Sequence, residues 1–130
     1  MSSLTWCKWG TRCEEFSELS PTWATVEAAL EQLDGLEFND LYLRLDDDGE
    51  TYFAVAGGPS LFLVFLDIGG DEFHEAIDSS APDHEVALVV GGQQGVFNRR
   101  ELIDRPTATV ALKTYFETGR LAPSVTWRIR

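Results

Sequence analysis

The chain changes its hydrophobic period several times, and each change marks an element. The run "SLTWCKW" (3–9) alternates poorly, but its aromatic residues suit a strand. "TRCEEFSELS" (11–20) reads as a polar connection. A helix is expected to start at "SPTW", with Ser20 as its cap and Pro21 in the first helical position. Trp23, Val26, Leu30 and Leu33 then recur at helical spacing, with Glu27, Glu31 and Asp34 facing out. Gly35 can end the helix in the left-handed conformation.

Period-two patterns follow. Leu41, Leu43 and Leu45 alternate with Tyr42 and Arg44, a half-buried strand. "DDDGE" (46–50) carries the Asp-Gly hairpin signal, and "TYFAVA" (51–56) returns. "LFLVFLD" (61–67) is apolar enough for a central strand. In "IGGDEFHEAI" a strand is favoured over a helix, because Phe73, Glu75 and Ile77 alternate against Glu72, His74 and Ala76. "EVALVVGG" (85–92) is a further strand, and "QQGVFNRRELIDR" is a crossing segment with an extended piece around Val96-Phe97. A second helix opens near Asp104–Pro106. Ala108, Ala111, Leu112, Tyr115 and Phe116 form its apolar stripe, and Gly119 and Pro123 stop it. "SVTWRIR" closes the chain as a strand. Val125, Trp127 and Ile129 lie on one side, and Thr126, Arg128 and Arg130 point outward. The pattern predicts an α+β fold: one domain over 1–130, with a mainly antiparallel sheet of five to seven strands and two helices.

Composition narrows the function classes. The 44% apolar share is that of a globular chain. The start, "MSSLTWCKWG", has no secretory-signal pattern, and "LFLVFL" is far shorter than a membrane span. A soluble cytoplasmic protein is expected, so Cys7 and Cys13 are read as reduced thiols. Net charge is −12, and residues 31–86 hold fifteen acidic groups against Arg44 alone. Such a chain is not expected to bind nucleic acid or an anionic membrane, which need clustered lysine and arginine. A basic protein partner suits it, and solubility is the plainer reading of the same charge.

Few motifs carry chemistry. His74 and His84 are the only histidines, so a zinc site with Cys7 and Cys13 lacks sensible spacing. The acidic run at 46–50 lacks the offsets of a calcium loop and reads as a hairpin turn. "GGQQG" (91–95) lacks phosphate-loop spacing and reads as a tight turn or bulge. Glu72, His74 and Glu75 could form an acid–base cluster, but the plainer reading is a solvated strand face. Trp6, Trp9, Trp23 and Trp127 read as packing residues, with Trp9 the most exposed. No cofactor or metal is expected.

The order of elements from Leu61 onward resembles a known family. An apolar strand and acidic-glycine turn, "LFLVFLDIGG", comes first. A strand ending in Gly91-Gly92 follows, then "ATVALKTYFETGRLAPSVTW" with its Thr-Gly, proline and closing tryptophan. This resembles the first numbered immunity-protein family of bacterial polymorphic toxin systems. Members commonly have Arg-Pro directly after the Thr-Gly, whereas here Leu121 and Ala122 separate Arg120 from Pro123. The shared positions, Gly91, Gly92, Phe116, Gly119, Pro123 and Trp127, imply the fold and not a contact surface. The resemblance implies a cytoplasmic antidote to a secreted toxin, often a nucleic-acid deaminase, with no catalysis of its own. An acidic antidote suits a toxin with a basic substrate groove. Three groups are expected to contact it: Asp46, Asp47, Asp48 and Glu50; Asp71, Glu72 and Glu75; and Gln93 with Gln94. The alternatives are a small enzyme or ligand-binding domain with a cleft beside His74 and the Gly91-Gly92 turn, or an accessory interaction domain.

Overall fold

The computed structural model describes residues 1–46 and 50–130. Along the chain lie β1 (Ser3–Trp9), β2 (Cys13–Leu19), α1 (Trp23–Gln32), β3 (Asp40–Arg44), β4 (Thr51–Gly57), β5 (Leu61–Ile68) and β6 (Glu72–Ile77). Then come β7 (Glu85–Val90), β8 (Gln93–Asn98), a 3-10 turn (Arg99–Glu101), β9 (Ile103–Asp104), α2 (Arg105–Thr118) and β10 (Thr126–Ile129). The main sheet has the order β10-β6-β5-β4-β3-β1-β2, with β9 pairing β5, and β7 and β8 form a separate hairpin. Every pairing is antiparallel.

The expected class holds, with two helices and an antiparallel sheet, but the described residues form ten strands rather than five to seven. The largest difference is β2, read from sequence as a polar connection. It is an outer strand whose residues are exposed apart from half-buried Cys13, so it has no apolar face to announce it. Glu14, Glu15 and Glu18 discourage a further strand from adding at this edge. The crossing segment likewise contains a full strand, β8.

The two faces of the main sheet differ. Cross-strand partners share a face, so the register places Leu4, Leu41, Leu43, Phe53, Val55, Phe62, Val64, Leu66 and Ala76 together. All are buried, in one cluster with Val26, Leu30 and Leu33 of α1 and Ala108, Ala111, Leu112 and Tyr115 of α2. Phe53 stacks on Tyr115 at 4.9 Å and meets the edge of Trp127. The stripes read from sequence are therefore the buried faces of both helices, and each buried valine or leucine in them contributes about 1.5–3 kcal/mol.

The helix ends depart from expectation at one helix only. Thr22, not Ser20, caps α1, its hydroxyl accepting from the Thr25 N–H, and Pro21 precedes the helix. Ser20 instead takes a positive φ of 49° at the corner leaving β2. The helix ends with Leu33 in an extended conformation, before Gly35. Gly35 serves a different need: at φ 75° a Cβ there would sit 2.2 Å from the Gly58 carbonyl oxygen. In α2 Asp104 caps the start, with Pro106 in the first turn, and Gly119 closes the helix in the left-handed conformation.

Two links tie these elements together. The Arg105 guanidinium donates to the carbonyls of Leu30, Leu33 and Pro59 at 2.8–2.9 Å and lies 4.8 Å above the Phe62 ring. It thus gives the Leu33 carbonyl a donor where α1 ends, adds a second donor to the Leu30 carbonyl, which already accepts from the Leu33 N–H, and binds α1 to α2 and to the β4–β5 turn. The second link corrects the reading of reduced thiols: Cys7 and Cys13 form a disulfide, with Cα atoms 5.5 Å apart. The β1–β2 register pairs Trp9 with Cys13 and Cys7 with Glu15, so the two cysteines are diagonal neighbours on one face. Hairpin register brought them together, and separation in the sequence gave no sign of it.

Arg105→Ala should lower unfolding free energy by about 2–3 kcal/mol in urea, because three carbonyls lose a charged donor. Arg105→Lys should recover less than half, since an ammonium cannot fork to three acceptors. The double variant Cys7→Ser/Cys13→Ser should lose about 2 kcal/mol under oxidising conditions, the loop-closure value for so short a loop. Dithiothreitol should then destabilise the parent and leave the double variant unchanged.

Candidate functional site

The face of the main sheet away from the helices carries the polar and aromatic residues of the strands. Tyr42, Tyr52, Phe65 and Phe73, one from each of β3 to β6, form a continuous row. Their ring centroids are 5.7, 6.1 and 5.9 Å apart in succession. All four rings are half-buried. Arg44 lies over the Tyr52 ring at 5.2 Å.

Buried carboxylates hold these rings. Asp40, 3% exposed, accepts from the Tyr42 hydroxyl and from Trp9 Nε1, both at 3.0 Å. Asp67, 6% exposed, accepts from the Gly70 N–H and hydrogen-bonds the Tyr52 hydroxyl. Burial, and then the charge of Asp40, push the Tyr42 phenol far above the ordinary tyrosine range. Burial and the bond to Asp67 raise Tyr52 as well.

Beside the row lies an ion cluster. Glu75 is 1% exposed, and its Oε2 accepts from Arg128 Nη2 at 2.9 Å and Arg130 Nε at 3.0 Å. Arg128 also reaches Glu101 at 3.1 Å. The Glu101 carboxyl is held below its usual range, first by the Asn98 backbone N–H and then by Arg128. Arg128 and Arg130 point outward as expected, on the face away from the helices, and both pair with Glu75 there. Ile129, on the Trp127 side, is 64% exposed. Trp127 does pack, its Nε1 donating to the Ala122 carbonyl.

The described residues of the expected contact groups fall into three places. Asp46 and Glu50 flank the β3–β4 turn, Asp71 lies in the β5–β6 turn and Glu72 opens β6; all four are exposed. The Gly69 N–H donates to the Glu50 carbonyl at 3.0 Å, so the two acidic turns adjoin at one end of the sheet. Asp47 and Asp48 lie outside the described residues. Glu75 belongs to the ion cluster and is not a surface charge. Gln93 and Gln94 are exposed but lie at the other end of β3. There the Gly92 N–H donates to Asn39 Oδ1, and Gly92 packs so closely on the Trp9 ring that a Cβ would come within 2.5 Å. Gly91 and Gly92, at φ 57° and 79°, make the two-residue hairpin turn. Trp9, expected to be the most exposed tryptophan, is half-buried beneath it.

The alternative cleft does not form. His74 pairs with Leu66, so it lies on the helix-bearing face, and Nε2 hydrogen-bonds Glu72. The Gly91-Gly92 turn lies on the opposite face beside Asp40, which is on β3, separated from β6 by β4 and β5. A polar cavity of about 260 Å³ lies elsewhere, between Asp78, Ser80, Asp104, Thr107 and Ser124. Among the described residues no helix is long and apolar enough to cross a membrane, and no cluster of three metal-ligating side chains occurs.

The comparison with protein families agrees with this layout. The model of the immunity protein family Imm1 matches residues 15–129, nearly the whole chain. The chain belongs to the Imm1 family. A search of the curated proteins finds no match. The matched span starts inside β2 and includes both helices, the hairpin and β10. Family membership supports the coarse function, toxin-inhibiting immunity. It extends the resemblance read from Leu61 onward back through α1 and β3.

The sequence pointed to the acidic turns and missed the aromatic row. Tyr42 reads only as an outward position of a half-buried strand, and Tyr52 only as part of the returning strand. The one available sign was that outward positions on four successive strands were aromatic.

The phenol shifts fix a pH dependence. A folded-state pKa raised above the unfolded value favours the neutral ring, so its stabilisation is complete below about pH 10 and fades as pH rises beyond it. Absorbance at 295 nm should show Tyr42 ionising only together with alkaline unfolding, and Tyr52 ionising above the ordinary tyrosine range. Tyr42→Phe should move that unfolding to higher pH.

Proposed function

We propose that this protein is a cytoplasmic antidote that binds a cognate secreted toxin one-to-one and blocks its active surface without catalysis. The observation that carries the reading is the Imm1 match across residues 15–129. The charge of −12 favours a toxin with a basic substrate groove, and a toxin acting on nucleic acid, such as a deaminase, has one. Covering that groove excludes the substrate.

The acidic end of the sheet suits capture. Asp46, Glu50, Asp71 and Glu72 are exposed on two adjoining turns, and Asp47 and Asp48 join them in sequence. Exposed like charges at one end give a directional field that speeds encounter with a basic surface and weakens with salt. Glu75 contributes by holding Arg128 and Arg130 in place. Gln93 and Gln94 would make a separate, adaptable contact at the far end of β3.

Co-expression tests this reading. The toxin domain encoded beside this gene, placed under tight control in a susceptible host, should arrest growth. This protein should restore growth and co-purify in a one-to-one complex. Restored growth without a complex, or a complex that leaves the toxin active, would sink the proposal. The triple variant Asp46→Lys/Asp71→Lys/Glu72→Lys should slow association about tenfold at low salt and much less at high salt. An unchanged rate would remove these turns from the interface.

A further inference from the structure

Resting on the antidote reading, we infer that the toxin is gripped by the aromatic row Tyr42–Tyr52–Phe65–Phe73 on the open sheet face, with the two acidic turns as its rim. The proposed occupant is a protruding toxin segment. It lays apolar side chains on the rings and presents lysine or arginine to Asp46, Glu50 and Asp71; Glu72, bonded to His74, lies on the helix-bearing face.

The two sheet faces differ in what they leave accessible. One is sealed by α1 and α2, and its large side chains are buried. On the other, the β7–β8 hairpin seats Leu88 against Gly57 and Gly92 against Trp9, toward the far end of β3 and β4. The 3-10 turn reaches β6 through Glu101 and Arg128. Between them and the acidic turns the four rings remain half-buried.

The composition is that of an interface centre. Tyrosine, phenylalanine and arginine concentrate where partners are gripped, and carboxylates belong at the rim. The row is also ordered in advance. Each ring touches the next, Tyr42 is held by Asp40 and Tyr52 by Asp67. Little rotamer freedom is left to lose on binding, which strengthens a complex. With both hydroxyls occupied by buried carboxylates, the rings offer a partner mainly their apolar surface and π faces. Those faces also attract cations. Charge complementarity selects the toxin as occupant: exposed Asp46 and Asp71, on the two adjoining turns at one end of the sheet, suit the basic groove proposed for it.

The test uses the full chain and a toxin domain that it neutralises in the growth assay. Tyr52→Ala and Phe73→Ala should each weaken the complex by at least about 30-fold, while Leu36→Ser, a substitution at an exposed apolar residue outside the row, should not change it. Because a truncated ring can disturb the sheet, the parent protein supplies the second readout. With its aromatic residues isotope-labelled, unlabelled toxin should shift the ring signals of Tyr52, Phe65 and Phe73 and leave those of Phe62 and Tyr115 in place. A wild-type complex with unshifted row signals, and alanine variants binding within about threefold of the parent, would overturn this inference alone. Failure of the wild type to bind any toxin it rescues would overturn the antidote reading and this inference with it.

Discussion

Phe53, Val55, Phe62 and Val64 occupy the middle of the sheet with no access to solvent, and two helices have to cover them. The apolar stripes of α1 and α2 meet that need, and Arg105 fixes how they do so. Its guanidinium donates to two carbonyls at the end of α1 and holds the start of α2 against the β4–β5 turn. Once both helices sit on one face, the opposite face can be covered only by what remains of the chain. That is a two-stranded hairpin and one 3-10 turn, too little for a sheet of this width.

The partial cover explains the chemistry of the open face. Where Leu88 and Gly92 press on the sheet, the residues beneath are small or hydrogen-bonded: Gly57, Ala56, and Asp40 with Trp9. Where nothing presses, the strands carry large rings that shield themselves by packing edge to face. Buried charges there are paired, as buried charges must be. Glu75 has Arg128 and Arg130, and Asp67 has Tyr52 and the Gly70 N–H. The result is rigid and chemically mixed, with exposed carboxylates at one end.

Immunity by binding asks for such a surface. An antidote needs no moving parts and no reactive group. It needs a shaped face that loses little entropy on contact and a field that speeds capture. The span that the Imm1 family model matches includes both helices, the hairpin and β10.

The sequence alone determined the helices, the interior strands and the closing strand, because their apolar periods record which side faces a core. The stripe from Ala108 to Phe116 and the run from Leu61 to Asp67 are instances. It also determined the sign of the charge and the two acidic turns. It did not reveal β2, whose exposed residues carry no period, nor the Cys7–Cys13 bridge, which exists because of hairpin register. Nor did it join Arg105 to α1, Glu75 to Arg128 and Arg130, or four rings on four strands into one row. Those contacts join residues far apart in the chain. Local periodicity records which side of an element is buried, and only tertiary packing decides which other element lies against it.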